Sequence, residues 1–203
     1  MTFALTRLAA CVAALLALTG CVTIFPKAEP AQLYRFEVAA PDAVATKAFE
    51  VTRGQIVFNQ AASSDGILTM TNGAAAYIDG ARWVTPAERM FEEQLARAFL
   101  AGPARLVPRG AAGRSAWVMR LEVQRFEAVY AGDPEGAPTI LVEIRASLSR
   151  NERDGETVDR IFRAQVPANA NRVSAIVPAF DAALTSTLTD LTAWVGSAGA
   201  PAS

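Results

Sequence analysis

The chain of 203 residues contains no histidine. That removes the commonest general base near neutral pH and the commonest neutral metal ligand. Cysteine is nearly as scarce: Cys11 and Cys21 are the only two, both within the first 21 positions. The body of the chain therefore has no pair to bridge. An excess of either charge is also missing. The 19 Lys and Arg nearly balance the 20 Asp and Glu, for a net charge of −1, and such a chain has no basic field for nucleic acid or for anionic head groups. No Gly-rich phosphate loop is present, because "GAAGRS" at 110–115 lacks the G-x-x-x-x-G-K-[ST] pattern and reads as a bridge from a helical region to a strand. Carboxylates are plentiful, but Glu92 and Glu93 fall on the polar side of a predicted helix and Asp154 and Glu156 flank a predicted turn. Solvated faces account for all four. The expectation is a protein that is not an enzyme, with no cofactor and no metal.

Long apolar runs are limited to one, at the start. Met1–Arg7 carries one positive charge and no acid, Leu8–Leu18 is apolar, and small residues follow up to Cys21. This is the order of a secretory signal peptide. The apolar core is well short of the roughly 20 residues that cross a bilayer. The site itself, Leu18-Thr19-Gly20-Cys21, resembles the bacterial lipobox. It implies cleavage between Gly20 and Cys21, a diacylglycerol on the Cys21 thiol and an acylated new amino terminus. Each buried methylene contributes about 0.8 kcal/mol, so two or more chains hold where one is marginal. Residues 1–20 are thus expected to be a cleaved signal peptide. Residues 21–31, with Pro26 and Pro30 and no clear period, are expected to be a lipidated tether reaching roughly 35 Å when extended.

Beyond the tether, residues 32–196 read as one α+β domain. "QLYRFEV" from Gln32 alternates like a half-buried first strand, and "QIVF" at 55–58 suggests another. "ILTMT" and "AAAYI" flank Asn72-Gly73, the pair that best fits a tight hairpin turn. In "WVTPAERMFEEQLARAFL", Thr85 is placed as N-cap, Pro86 at the first helical position and Glu88 to close a capping box, with Gly102-Pro103 ending the run. "AWVMRLEVQRFEAVYAG" puts Trp117, Met119, Leu121 and Val123 on one face. The apolar phase then shifts to Phe126, Ala128 and Tyr130, predicting a bulge or bend near Arg125. "TILVEIRASLSR" and "TVDRIFRAQV", joined by "NERDGE", predict an antiparallel hairpin. Val173, Ile176, Val177, Phe180, Leu184, Leu188, Leu191 and Val195 form a helical stripe, with Pro178 marking a start or a bend. Residues 197–203 are expected to be a disordered tail. The fold class is therefore α+β, an antiparallel sheet with two main amphipathic helices packed on one face.

The aromatic residues Tyr77, Trp83 and Phe91 are read as fixing the first helix to the sheet rather than as a ligand site, and Trp117 and Trp194 likewise. With the apolar faces committed to the core, the outward faces of the strands and the exposed side of the first helix remain for docking. Arg120, Glu143 and Arg145 are the residues whose reversal is expected to weaken association without loss of stability.

"AAAYIDGARWVTPAERMFEEQLARAF", "MRLEVQRFEAVYAGDPEGAPTILVEIRASL" and "SAIVPAFDAALTSTLTDLTAWV" resemble the ABC-type transport auxiliary lipoprotein family, which includes the paraquat-inducible protein C type. The resemblance runs from about Tyr34 to Val195, and the stretch from the tyrosine through "GARW" into the helix is its most recognisable part. It implies a non-catalytic periplasmic lipoprotein that acts with an ABC permease, its ATPase and an MCE-type substrate-binding protein. That system moves phospholipid or another apolar substrate across the Gram-negative envelope. Val22 after Cys21 is not the aspartate that favours inner-membrane retention in enterobacterial lipoproteins, which implies the periplasmic face of the outer membrane. Homo-oligomerisation is left open by the same resemblance. The competing reading is a stand-alone periplasmic lipid- or lipopolysaccharide-binding assembly lipoprotein; a cryptic hydrolase would need a nucleophile and base that the chain does not supply.

Overall fold

Residues that alternate in polarity over ten or more positions have little choice but to pair as strands, and three such runs dominate the molecule. The computed structural model describes residues 30–39, 41, 43–111, 115–152 and 155–199. The expected signal peptide and the lipidation site at Gly20 and Cys21 lie outside the described residues. So do all of the tether but Pro30 and Ala31, Asp154 of the predicted turn, and residues 200–203. Residues from Ala31 onward make one compact unit. In chain order it comprises β1 (Gln32–Tyr34), β2 (Phe49–Phe58), β3 (Gly66–Thr71), β4 (Ala74–Trp83), α1 (Ala87–Ala98), β5 (Ala104–Val107), β6 (Trp117–Tyr130), β7 (Thr139–Arg150), β8 (Thr157–Pro167) and α2 (Val173–Ala198). The last turn of α2 takes in Ser197 and Ala198, where an unpatterned tail was expected.

Strands β6, β7 and β8 form the antiparallel meander that the alternation predicts. Ile140, Val142, Ile144, Ala146 and Leu148 are all buried on one side of β7. The expected irregularity in β6 is a bulge: pairing passes from Val123↔Ile144 to Arg125↔Glu143, so Gln124 is the extra residue. Val123 and Phe126, three positions apart, thereby both face the core.

The sheet is mixed, not wholly antiparallel. β6 carries β7 along one edge. Along the other edge it carries β2 beside Trp117–Val123 and β3 beside Ala128–Tyr130, both parallel to it. β2 also pairs in parallel with β5, and β1 with β4. Parallel neighbours come from crossover connections. Periodicity fixes which face a residue takes but not which strand lies next to it, so these pairings leave no trace in the alternation. The β3–β4 hairpin forms as expected on Asn72 (φ 49°) and Gly73 (φ 84°), both in the left-handed region that this turn requires.

Both helices cover one face. α1 buries Met90, Phe91 and Leu95, and α2 buries Ile176, Phe180, Leu184, Leu188, Leu191 and Val195, in one cluster with the inward side chains of β6, β7 and β8. α2 lies against β7 and β8 and touches α1. Phe126 sits at the centre, its ring centroid 4.9 Å from Phe180, 5.0 Å from Phe36, 5.7 Å from Phe58 and 6.4 Å from Trp83.

The ends of α1 depart from the expected capping. Pro86, with φ −48° and ψ 135°, occupies the cap position, and no side chain closes the N-terminus. The Ala87 and Glu88 amides donate instead to the Ser64 and Ser63 carbonyls at 3.0 and 3.4 Å. A tertiary contact thus satisfies the donors that Thr85 was expected to take. At the other end Lys47 Nζ donates to the carbonyls of Phe99, Leu100 and Gly102 at 2.8, 2.8 and 2.7 Å, placing a cation on the negative end of the helix dipole. Pro178 lies inside α2, which starts earlier, at Val173.

The first expected strand, residues 32–38, keeps its alternation but loses its partner after Tyr34. Phe36 and Val38 stay buried while three successive amides leave the sheet for the helices. Glu37 N donates to Asp181 Oδ1 at 2.8 Å, Val38 N to Gln94 Oε1 at 3.0 Å, and Ala39 N to Thr185 Oγ1 at 3.4 Å. Residues 36–39 are a strap clipped between α1 and α2. Gln94 is 4% exposed, so Gln94→Leu strands the Val38 N–H in the interior. Unfolding in urea is expected to show a loss of about 1–3 kcal/mol; an unchanged midpoint would contradict the strap.

The aromatic expectation holds for Trp83 and Phe91, which are 2% and 0% exposed, and fails for Tyr77, which is 52% exposed. Tyr77 faces outward because Gly66 leaves room for its ring: a Cβ at Gly66 would lie 2.5 Å from Tyr77 Cδ1. The Tyr77 hydroxyl donates to the Ala61 carbonyl at 2.8 Å. Trp117 is buried beneath the Arg150 guanidinium, 4.9 Å away, and Trp194 leans on Phe162 at 5.6 Å.

Candidate functional site

The face of the sheet opposite the helices is where β6, β7 and β8 present their polar side chains. Cross-strand register sorts these into rows: Glu127, Leu141 and Gln165; then Arg125, Glu143 and Arg163; then Glu122, Arg145 and Ile161; then Arg120, Ser147 and Asp159. β2 extends the third row with Val57 beside Glu122. Cation and carboxylate alternate across and along the strands, which favours each neighbouring pair.

The pairs differ in depth. Glu127 is 3% exposed and is held by Arg125 through Nε at 2.6 Å and also through Nη2. A carboxylate so covered is costly without its partner. Glu143, with its side chain 22% exposed, sits 3.7 Å from Arg163 Nε. Arg145 reaches Asp159 at 3.6 Å, and Asp159 also accepts the Ser147 hydroxyl. Arg120 is exposed and makes no ion pair among the described residues. Two open hollows lie on this face. One, of about 320 Å³, is lined by Gln55, Val57, Arg120, Glu122, Arg145 and Ser147. The other, of about 380 Å³, is lined by Arg125, Val129, Thr139, Leu141, Arg163 and Gln165.

Arg120, Glu143 and Arg145 thus share the face expected of them, but they are not equivalent. Reversing Glu143 would set a third cation between Arg125 and Arg163, so that position is part of the sheet's stability. Arg120, of the three, has no ion-pair partner among the described residues. Arg125, Glu127, Asp159 and Arg163 were not singled out from sequence; alternation marks them as outward, and only register makes them a cluster.

A third hollow, of about 750 Å³, opens on the helix side around the strap, beside Glu37, Arg97, Asp181 and Thr185. Burial raises the Asp181 carboxyl above its usual range, the hydrogen bond from the Glu37 amide opposes this, and the Glu37 carboxylate reinforces it. Burial likewise lowers Lys47. Tyr130 is raised by burial and by the charge of Glu135, and its hydroxyl donates to Asn171 Oδ1 at 2.8 Å. Of the carboxylates weighed from sequence, Glu92 pairs with Arg53 at 3.2 Å, and Glu93 and Glu156 are exposed. Among the described residues no group of three potential metal ligands converges and no helix is long and apolar enough to cross a membrane. A chain beginning at Ala31 keeps every contact described here. It is expected to melt cooperatively at the same temperature with and without EDTA, as followed by circular dichroism; a metal-dependent melt would overturn that.

Residues 34–192 match the ABC-type transport auxiliary lipoprotein component family, a span that begins in β1 and ends within α2. The chain belongs to that family. The auxiliary lipoprotein fold is shared with protein XCC0632 of Xanthomonas campestris, described as a DUF330 protein. It is 26% identical, with a TM-score of 0.70, over 83% of this chain and 96% of the other. A second solved structure, of an uncharacterized protein, is 11% identical with a TM-score of 0.61 over 82% and 99% of the two chains. No curated protein matches the chain. Membership carries with it an association with an ABC transport system and a membrane-anchored place in the cell envelope.

Proposed function

We propose that this auxiliary lipoprotein is a non-catalytic subunit of an MCE-associated ABC transporter, anchored through Cys21 at the periplasmic face of the outer membrane. There it docks on the periplasmic parts of a system that moves phospholipid or another apolar substrate. The observation that carries the reading is the family match over 34–192, which takes in α1, most of α2 and the sheet from the end of β1 onward. Two features support a docking role. The space between sheet and helices is filled by Phe36, Trp83, Phe126 and Phe180, and the opposite face is a charged mosaic around open hollows, suited to a polar protein surface. With no histidine in the chain, position and surface are what this subunit contributes.

Deleting the protein is expected to give the same envelope defect as deleting the associated MCE-type permease, and the double deletion to be no worse. In co-isolation, Arg120→Glu is expected to weaken binding to the transporter about a hundredfold with little change in melting temperature, whereas Glu143→Arg lowers both. A like-charge juxtaposition across an interface costs several kcal/mol, while a reversed surface charge alone costs about 0–1 kcal/mol of stability. If the lipidated protein instead carries lipid in stoichiometric amount and never co-isolates with a transporter component, it is a stand-alone carrier.

A further inference from the structure

We infer that the sheet edge formed by β1 and the end of β4 is the surface this protein turns toward an anionic phospholipid membrane. In the parallel β1–β4 pair Leu33 stands beside Arg82 and Tyr34 beside Trp83, and the Val84 amide continues the contact by donating to the Tyr34 carbonyl at 2.7 Å. Alternation then sorts the side chains. Trp83 and Phe36 enter the core at 2% and 0% exposure, while Leu33 and Val84 face out at 59% and 40%. Arg35 and Arg82 share the outward side, their side chains 52% and 54% exposed. Two large apolar side chains are thereby interleaved with two long cations. Glu37 stands 4.0 Å from Arg35 and Asp65 stands 3.0 Å from Arg82, and both of these acids are themselves about half exposed.

Such a patch matches the boundary of a bilayer, where apolar tips enter among the acyl chains and guanidinium groups stay at the phosphates. The near-neutral chain has no long-range attraction for anionic head groups, so the contact depends on proximity, and the path of the chain supplies it. The inference rests on lipidation of Cys21 as proposed above. Residues 21–31 then hold the patch within roughly 35 Å of the bilayer even at full extension. Among the described residues, Leu33 is the exposed large apolar side chain nearest in sequence to that anchor. A tether this short gives the patch a high effective concentration at the membrane, so that a weak surface suffices. Val57 of β2 and Ile161 of β8, exposed apolar residues on the part of that sheet face built around β6 and β7, stay available to a protein partner.

The mature lipidated chain has no free thiol, because Cys11 leaves with the signal and Cys21 is a thioether. Leu33→Cys, Val84→Cys and, for comparison, Ile161→Cys each create a single labelling site. The purified lipoproteins are reconstituted in vesicles of phosphatidylethanolamine and phosphatidylglycerol, labelled with bimane and quenched with doxyl-labelled lipid. Labels at 33 and 84 are expected to be quenched at least about twofold more than the label at 161, as for side chains lodged in the interface. The difference is expected to shrink when phosphatidylglycerol is left out. Equal quenching at all three positions, with Cys21 lipidated by mass, overturns this inference alone. Labels at 33 and 84 shielded from both lipid and aqueous quenchers overturn it in favour of a second copy or another protein on the patch. A free Cys21 overturns the anchor, and this inference with it.

Discussion

Cys21→Ala is expected to leave a full-length precursor, uncleaved between Gly20 and Cys21 and carrying no lipid, with complete loss of the processed, membrane-anchored form. In the proposed anchor the thiol accepts the diacylglycerol and lipoprotein cleavage follows that modification, so one sulfur atom would control both steps. The loss of the processed, lipid-anchored form is all-or-none because nothing among the described residues replaces the acyl chains. Each contributes about 0.8 kcal/mol per buried methylene, and no described helix is long and apolar enough to cross a membrane. Cys11→Ala, inside the segment expected to be removed, is expected to change neither cleavage nor lipidation. Intact-mass measurement of the mature amino terminus decides the matter: an unmodified Cys21, or a mature protein that begins elsewhere, removes the anchor from the proposed function.

The largest effect on folding is expected at Phe126. Its ring is 2% exposed and lies among Phe36, Phe58, Trp83 and Phe180, so it joins the strap, β2, β4 and α2 through one side chain. Phe126→Ala removes the transfer energy of the ring, leaves a cavity that the four neighbours cannot all close on, and is expected to cost about 3–5 kcal/mol. For a domain of this size that is a fall in melting temperature of about 6–20 °C. Phe126→Leu, which refills most of the volume, is expected to recover more than half of the loss. A loss below about 1 kcal/mol for the alanine variant would mean that the cluster is not the centre of the core.

What could be read in advance followed the range of the forces concerned. β7 was legible from Thr139 to Arg150 because its alternation reports burial directly, residue by residue. The break in β6 was legible from the change of apolar phase alone. β5 was not, since "ARLV" is too short to carry a period. Nor was the first half of β2, where Arg53 on the helix side pairs with Glu92 of α1 and so breaks the apolar pattern. Thr85 has the chemistry of a cap and lost the position to carbonyls at Ser63 and Ser64, distant in sequence. The site divided in the same way. Arg120, Glu143 and Arg145 could be placed on an outward face, but their different partners depend on which strand lies beside which.

The bulge at Gln124 has opposite meanings for the two edges of β6. Toward β7 the residue is surplus: with it removed, Val123↔Ile144 and Arg125↔Glu143 become consecutive steps of a regular ladder, and both flanking side chains keep their faces. Toward β2 and β3 it is a spacer. Asn59 binds there, its amide to the Val123 carbonyl at 2.9 Å and its side chain to the Gln124 carbonyl at 3.0 Å. The turn over residues 59–65 crosses the gap before β3 rejoins β6 at Ala128. Losing one residue would shorten that gap by about 3.3 Å. A descendant chain could therefore drop Gln124 without disturbing the hairpin only by trimming the turn after Asn59 as well, so the lengths of two segments about sixty positions apart are bound to change together.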